Sequence, residues 1–128
     1  MHEFVLTQTL IEEVQFAMQS HTSEKISVVN IGFGPFTHAT FDRIEFWWNT
    51  LIQNSPLDGV KLVKHSLEGK LYCPQCDQEF IIRDVKDHQY DEYLEIFSCP
   101  KCASYQTKIT EGTEILILNL ELVTIPEI

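Results

Sequence analysis

Apolar residues recur at helical spacing near the start of the chain. The intervals between them are three or four positions, the period of an amphipathic α-helix, and polar residues such as Glu12, Glu13, Gln15 and Gln19 lie between them. The recurring apolar positions are Leu6, Leu10, Val14 and Ala17 or Met18. The pattern predicts a helix from Glu3 to about His21.

A β-rich run follows this helix and ends at glycine and proline. Residues 26–33 are rich in β-branched side chains, and Gly32, Gly34 and Pro35 mark the end of the run. β-branched residues favour strands, whereas Gly and Pro favour the turns that stop them. The run therefore predicts a strand that stops before Pro35.

A second amphipathic segment lies further along the chain. Thr37 or Thr40 is a candidate N-cap, and Asn54-Ser55-Pro56 ends the segment, because proline cannot continue a helix. The expected buried face is formed by Phe41, Ile44, Trp48 and Leu51. Trp47 and Trp48 are interpreted as core residues rather than as platforms for a cofactor.

Two further strands complete the pattern. One is expected from Val60 to about Leu67, after Asp58-Gly59. The other, residues 114–123, is apolar nearly throughout and is therefore expected to be a buried strand. The order is α-β-α-β, then the cysteines, then β.

The final strand needs a sheet to join, and the cysteine-containing stretch is too polar to be expected to supply one. That stretch is therefore interpreted as an insertion. The predicted fold is α+β, with two helices packed on a three-stranded sheet and an inserted four-cysteine module that resembles a zinc ribbon. The expected domains are 1–69 plus 108–128, and 70–107.

Composition and charge narrow the classes of function. The chain has 128 residues, 44% of them hydrophobic, which suffices for a folded core. Nineteen acidic against nine basic residues give a net charge of −10, which repels nucleic acid backbones. We expect no membrane span and, because Met1-His2-Glu3-Phe4 lacks the pattern of a signal peptide, a cytoplasmic protein.

All four cysteines lie in two C-P-x-C motifs. The first knuckle is Cys73-Pro74-Gln75-Cys76 and the second knuckle is Cys99-Pro100-Lys101-Cys102. Two residues between thiolates let the backbone turn around the sulfurs, and two such turns complete a tetrahedral zinc shell. A structural zinc site is predicted in preference to a redox C-x-x-C, which normally stands singly, or to disulfides, which are rare in the cytosol.

The stretch between the knuckles is charged and aromatic. Residues 83–93 are long enough for a short hairpin or a helical turn, and their plainest interpretation is a solvated loop. The alternative is a docking surface or an auxiliary metal site formed by Asp87, His88 and Asp91.

The amino terminus offers a second set of metal ligands, the N-terminal motif Met1-His2-Glu3. The α-amine, the deprotonated amides of His2 and Glu3 and the His2 imidazole can form adjacent chelate rings around a square-planar nickel or copper ion. The Glu3 carboxylate can add a further ligand. A histidine at this position alone is usually incidental.

Together, the N-terminal motif, the α-β-α-β order, the paired knuckles and the strand that returns after Glu111-Gly112-Thr113-Glu114 resemble the HypA/HybF family of hydrogenase nickel-incorporation proteins. The resemblance covers essentially the whole chain. It implies a nickel metallochaperone that helps load the large subunit of [NiFe]-hydrogenase, and in some organisms urease, together with the GTPase HypB.

The resemblance also implies roles for individual residues. Nickel, carried transiently, would bind Met1, His2 and Glu3, and structural zinc would bind the four cysteines. An acidic residue that serves as an extra nickel ligand in some members falls near Thr40 here. The candidates for such accessory ligands are therefore His38, Asp42 and His88. Asp77 and Ala103 stand where some members place a histidine, so no pH-driven change of the zinc shell is expected through those positions.

Three classes of function are compatible with a chain of this kind. Partners expected for the metallochaperone are the HypB-type GTPase and a hydrogenase large-subunit precursor, with a homodimer left open and neither nucleic acid nor membrane involved. The alternative is a zinc-ribbon scaffold that binds protein or RNA, although basic residues do not cluster around the knuckles. A zinc-stabilised oxidoreductase would need a reactive thiol. An enzyme is not expected, because no catalytic motif is present and a closed four-thiolate zinc has no site for substrate.

Overall fold

The structure, a computed structural model, describes residues 2–82 and 97–126. It contains the two helices and the long strands that the sequence predicts, and three shorter strands besides. The helices are α1 (His2–Ala17, continued by a 3-10 turn, Met18–Ser20) and α2 (Phe41–Leu51). The strands are β1 (Glu24–Phe33), β2 (Lys61–Ser66), β3 (Gly69–Cys73), β4 (Gln78–Ile82), β5 (Lys108–Glu111) and β6 (Ile115–Thr124).

The described chain divides into two compact units. Unit 1 comprises residues 2–31, 39–65 and 116–126, and unit 2 comprises residues 32–38, 66–82 and 97–115. Unit 1 holds both helices and the sheet β2-β1-β6, and unit 2 holds the sheet β4-β3-β5 and the cysteines. The α+β fold with a separate four-cysteine part is thus confirmed. The division differs from the expected domain limits at residues 32–38, 66–69 and 108–115.

The buried face of α1 differs by one position from the expected face. Leu10 and Val14 are buried as predicted, but Leu6 is 36% exposed and Thr7 is fully buried in its place. The Thr7 hydroxyl can be buried because it donates a hydrogen bond to the carbonyl of Glu3, one turn earlier. A polar residue therefore occupies a core position that hydrophobic periodicity alone assigned to leucine.

α2 contributes the largest buried side chain of unit 1. Trp48 is fully buried, as predicted, and its indole N–H donates to the carbonyl of Val60 at 3.0 Å. Trp47 is only half-buried, so the prediction that both tryptophans are core residues holds fully for Trp48 alone. Thr40 occupies the N-cap position in an extended conformation, but its side chain makes no capping hydrogen bond.

The sheet of unit 1 places β1 between β2 and β6. The contacts from Ser23 to Ile125 and from Ser27 to Glu121 show that β1 and β6 run in opposite directions. The interior of this sheet contains a polar side chain, Asn30, which is buried on β1. The Asn30 amide donates to Asn119 and to Glu121, both at 2.8 Å, and its oxygen lies 2.7 Å from His65 Nε2.

The expectation that the last strand is buried is wrong. β6 is a strand, but Leu116 and Leu118 are each 44% exposed and Val123 is 41% exposed. The physical reason is its place at the edge of the sheet, where only one side of the strand has a neighbour among the described residues. A continuous apolar run normally marks a strand in the centre of a sheet.

The cysteine part has a sheet of its own, which the sequence was not expected to supply. β3 pairs antiparallel with β4 on one side and with β5 on the other. Polar side chains stabilise its exposed face, because the Lys70 ammonium lies between the carboxylates of Glu79, at 3.9 Å, and Glu111, at 3.5 Å. Lys70 takes a central place in the sheet and both partners are on flanking strands. The module is therefore polar and yet sheet-forming.

Residues 32–38 belong to unit 2 because they are bound to its strands and loops. The N–H groups of Gly34 and Phe36 donate to the carbonyls of Glu114 and Gly112, both at 2.8 Å. A side chain at Gly34 would lie 2.2 Å from the carbonyl oxygen of Gly112, so only glycine allows this approach. Phe36 is buried, and its ring stands 5.5 Å from that of Phe97.

Candidate metal centres

Both knuckles are built by tight turns beside the sheet of unit 2. Cys73 is the last residue of β3 and pairs with Gln78, so the first knuckle forms the turn between β3 and β4. In the second knuckle the Ala103 N–H donates to the Cys99 carbonyl, and the Cys99 N–H donates to the Ser104 carbonyl, both at 2.8 Å. Local backbone bonds therefore fix both turns.

The residue after each knuckle adopts a left-handed backbone without being glycine. Asp77 has φ 48° and Ala103 has φ 60°. Aspartate tolerates this region because its short polar side chain can bond locally, whereas alanine gains no such bond. Asp77 accepts a hydrogen bond from the Tyr72 hydroxyl at 2.6 Å. The left-handed backbone of Ala103 is thus less well compensated than that of Asp77.

The four sulfurs converge on one point. They all lie within 4.8 Å of one another, and the pairs Cys73–Cys102 and Cys76–Cys99 are 3.6 and 3.8 Å apart. A tetrahedron with zinc–sulfur bonds of about 2.3 Å has sulfur–sulfur edges of about 3.8 Å. The donor set and its spacing therefore fit a four-thiolate site for zinc or another thiophilic metal.

The thiols of the cluster differ in pKa. Burial raises the pKa of the Cys76 thiol to about 12, with neighbouring sulfurs adding to the rise. Burial also acts to raise the pKa of Cys99, but the backbone N–H groups of Cys102 and Lys101 outweigh it and lower that pKa to about 7. These N–H groups lie 3.4 and 3.3 Å from the Cys99 sulfur. The second knuckle therefore favours Cys99 in its thiolate form, which is the form that binds a metal.

The N-terminal motif lies at the start of α1. The helix begins at His2, and Glu3 is half-buried in its first turn. The next residue, Phe4, contacts Trp47 of α2 edge-to-face, with ring centroids 4.9 Å apart. Met1 and the side chain of His2 lie outside the described residues. The described part of the motif is thus attached directly to the helix pair of unit 1.

The accessory ligands that the sequence suggested are not brought together by any described contact. Asp42 is exposed in the first turn of α2, in unit 1. His38 is exposed in the segment that belongs to unit 2. His88, Asp87 and Asp91 lie outside the described residues, as does all of the stretch 83–93, for which a hairpin or helical turn is expected. These ligand assignments stay predictions.

Sequence reasoning missed two aromatic residues that support the candidate centres. Phe4 connects the N-terminal motif to Trp47, and Phe36 connects residues 32–38 to the unit that holds the cysteines. Neither residue follows a helical or strand period that would have assigned it a partner. A phenylalanine directly after Met1-His2-Glu3 was the one available signal for the first of these contacts.

Fold and site together define a small α+β protein whose paired knuckles form a candidate metal centre. The model of the family described as "hydrogenase/urease nickel incorporation, metallochaperone, hypA" matches residues 1–122. The chain belongs to this family. Because its members are metallochaperones and maturation factors, the expectation that the chain is not an enzyme is confirmed.

Relatives and solved structures agree with this assignment. The hydrogenase maturation factor HypA of Desulfitobacterium hafniense is 27% identical over 122 residues, which cover 95% of this chain and 98% of that protein. Its counterpart from Geobacter metallireducens is 26% identical and covers 95% and 99%. The match therefore extends over both units.

The same fold occurs in two structures determined in solution. The Ni metallochaperone HypA of Helicobacter pylori has a TM-score of 0.62 at 22% identity, covering 98% of each chain. A second HypA structure has a TM-score of 0.61 at 25% identity, covering 96% of this chain and 97% of the other. In the part of the chain that the structure describes, neither helix has the length and apolar character to cross a membrane.

Proposed function

We propose that this protein carries nickel at the N-terminal motif and passes it to the precursor of a nickel enzyme by exchange of ligands. The observation that carries the proposal is that α1 begins at His2. The first N–H groups of a helix have no intrahelical acceptor. Deprotonating the amides of His2 and Glu3 to bind nickel therefore costs α1 none of its hydrogen bonds.

The anchoring of Phe4 supports the same proposal. Its contact with Trp47 holds the first turn of α1 against α2, so the described start of the motif has a fixed place on unit 1. Nickel favours square-planar sets of nitrogen ligands, which the α-amine, two amides and an imidazole provide. His38, Asp42 and His88 remain proposed accessory ligands, which would complete the shell or receive the ion during exchange.

For the cysteine cluster we propose a resident zinc ion with a structural role. Cys73, Cys76, Cys99 and Cys102 would supply all four ligands, and a closed shell of this kind leaves no position for substrate. Zinc would neutralise thiolates that otherwise repel one another and would hold the two knuckles together. The expected zinc domain, 70–107, stays part of this proposal.

The proposed partners follow from the family. They are a HypB-type GTPase and the large-subunit precursor of a [NiFe]-hydrogenase, or urease in some organisms, and the exchange is proposed to occur in the cytoplasm. The net charge of −10 supports partners with basic surfaces and opposes binding to nucleic acid. Neither nucleic acid nor a membrane takes part in the proposed transfer.

A nickel titration with matched variants tests the proposal. Zinc-loaded protein with an untagged amino terminus should bind close to one equivalent of nickel by calorimetry. Binding should vanish in His2→Ala and when one residue is added before Met1, because each change destroys the chelate. His21→Ala is the control, since His21 is an exposed histidine that follows the 3-10 turn and pairs with Glu24 at 3.1 Å.

Two results would contradict the nickel site. One is unchanged binding by His2→Ala, and the other is equal loss in His21→Ala. Zinc retained without any nickel binding would favour the alternative, a zinc-ribbon scaffold that binds protein or RNA. Zinc content and circular dichroism of each variant must match those of the unaltered protein for the comparison to hold.

A further inference from the structure

Two threonines of α1 make the same local hydrogen bond in different surroundings. The Thr7 hydroxyl donates to the Glu3 carbonyl at 2.5 Å, and the Thr9 hydroxyl donates to the Val5 carbonyl at 3.1 Å. In both pairs the acceptor lies one turn earlier, which is a common partner for a threonine in a helix. Thr7 is fully buried, however, whereas Thr9 is exposed. The two residues therefore differ mainly in their access to solvent.

Burial makes the hydrogen bond of Thr7 difficult to replace. Water can take the place of the Val5 carbonyl as a partner for Thr9, because Thr9 is in contact with solvent. Thr7 has no exposed surface, so movement of the Glu3 carbonyl would leave a buried hydroxyl unsatisfied, which is unfavourable. The first turn of α1 is therefore coupled to the core of unit 1, because it cannot fray without depriving a buried polar group of its partner.

The acceptor of this hydrogen bond belongs to the N-terminal motif. The carbonyl carbon of Glu3 is bonded to the Cα that also carries the amide nitrogen and the carboxylate side chain of Glu3. The next residue, Phe4, is held separately by its contact with Trp47. Fixing the Glu3 carbonyl therefore fixes the peptide on one side of this Cα, and it restricts the directions of the two Glu3 groups that are proposed to bind nickel.

We propose that Thr7 is a positioning residue of the nickel site, and that its buried hydroxyl holds Glu3 in place for chelation. This inference rests on the proposed function, since it requires nickel at the N-terminal motif. Thr7 itself does not touch the metal. A ligand set that is held in place before binding loses less conformational freedom on binding and so binds more tightly. Without the hydroxyl, nickel would have to order the first turn of α1 as it binds.

Nickel titrations of zinc-loaded proteins with untagged amino termini test the proposal. Thr7→Val keeps the shape of the side chain but lacks the hydroxyl, and its nickel affinity should fall several-fold, at most roughly tenfold, as expected for the loss of one hydrogen bond. Thr7→Ser keeps the hydroxyl and should bind nickel as the unaltered protein does. Thr9→Val is the matched control, because it removes the equivalent exposed hydrogen bond, and its affinity should not change.

A comparison of nickel affinity with thermal stability separates positioning from folding. Buried valine needs no hydrogen-bond partner, and in a helix the carbonyl of residue 3 still accepts the backbone N–H of residue 7. Nickel-free Thr7→Val should therefore unfold at or above the temperature of the unaltered protein, although it binds nickel more weakly. Thr7→Ser should show the opposite pattern, because it loses a buried methyl group but keeps the hydrogen bond.

Several results would overturn the positioning role. They are unchanged nickel affinity in Thr7→Val, an equal loss in Thr9→Val, a loss in Thr7→Ser as large as that in Thr7→Val, and a fall of affinity that follows thermal stability across the variants. Failure of the unaltered protein to bind nickel would refute the proposed function and this inference together. Normal nickel binding by both the unaltered protein and Thr7→Val would refute this inference alone.

Discussion

The two candidate metal centres are built in opposite ways. The four cysteines come from two knuckles held by the sheet of unit 2, and their sulfurs converge without help from the chain terminus. The described part of the N-terminal motif stands at the first turn of α1, where Phe4 contacts Trp47, and no such cage is seen around it among the described residues. A cage suits a resident ion that is never released, whereas an open chelate suits cargo. On the proposed function, the metal in the cysteine cluster stabilises the fold, and the metal at the N-terminal motif is cargo.

The sharpest test of this contrast is to break the cage. Cys73→Ser should lose zinc and unfold unit 2, because binding energy at a structural zinc site is folding energy, about 10–16 kcal/mol in zinc-finger peptides. Hydrogen exchange should show loss of protection in β3, β4 and β5 while α1 and β1 stay protected. His2→Ala, at the open chelate, should leave protection unchanged everywhere. Equal stability of Cys73→Ser and the unaltered protein would refute a structural role for the metal.

Acid should release zinc from the four cysteines, because protons compete with the metal for sulfur. Zinc binds thiolates, so the stability that zinc provides is present at neutral and alkaline pH and is lost as pH falls. Cys76, whose pKa is raised to about 12 without metal, should take up a proton more readily than Cys99, whose pKa is lowered to about 7. A metallochromic dye should detect zinc release together with the loss of β-sheet signal in circular dichroism. Release without a spectral change would separate zinc from folding.

A smaller change should loosen the open chelate without destroying it. Phe4→Ala removes the edge-to-face contact with Trp47, and such aromatic pairs contribute about 0.5–1.5 kcal/mol beyond area burial. We expect a loss of stability of at least that size, because the buried area of Phe4 is lost as well, and nickel binding weakened several-fold, since the first turn of α1 would fray. Phe46→Ala is the control, because Phe46 also contacts Trp47 but lies on α2. Unchanged nickel affinity in Phe4→Ala would show that the motif binds independently of its anchor.

The smallest expected effect concerns the strain beside the second knuckle. Ala103→Gly should stabilise unit 2 by up to about 1 kcal/mol, because the left-handed φ of 60° costs alanine about 1–2 kcal/mol and glycine almost nothing, less the greater entropy of glycine in the unfolded chain. Thermal unfolding of the zinc-loaded protein measures the shift. Asp77→Gly should gain less, since it gives up the hydrogen bond from Tyr72. Destabilisation by Ala103→Gly would mean that the methyl group makes a favourable contact.

The parts that the sequence predicted are those that local spacing determines. The knuckles bring their own turns, so the four cysteines could be grouped before any fold was known, and the period of three and four located both helices. Nickel binding by Met1-His2-Glu3 stays a prediction. Local chemistry suggested it, but the imidazole that it needs lies outside the described side chains.

The features that the sequence predicts wrongly depend on contacts that the spacing of apolar residues does not record. Leu6 was assigned to the core and Thr7 was not, because periodicity cannot register that a hydroxyl is satisfied by the carbonyl of the preceding turn. β6 was expected to be buried because its composition is that of a central strand, and only the strand order reveals an edge. Residues 32–38 joined the cysteine unit through Phe36, a contact that no local pattern encodes.

Because β1 lies between β2 and β6, the sheet of unit 1 cannot be completed until its last strand has been synthesised. β1 and β2 emerge early, but β6 follows only after residues 67–114, which at roughly 5–20 residues per second is a delay of several seconds. During that interval the Asn30 amide lacks Asn119 and Glu121, and one side of β1 is open. Both knuckles emerge before β6 does. On the proposed function, the nascent chain would therefore bind zinc while its larger sheet is still unfinished.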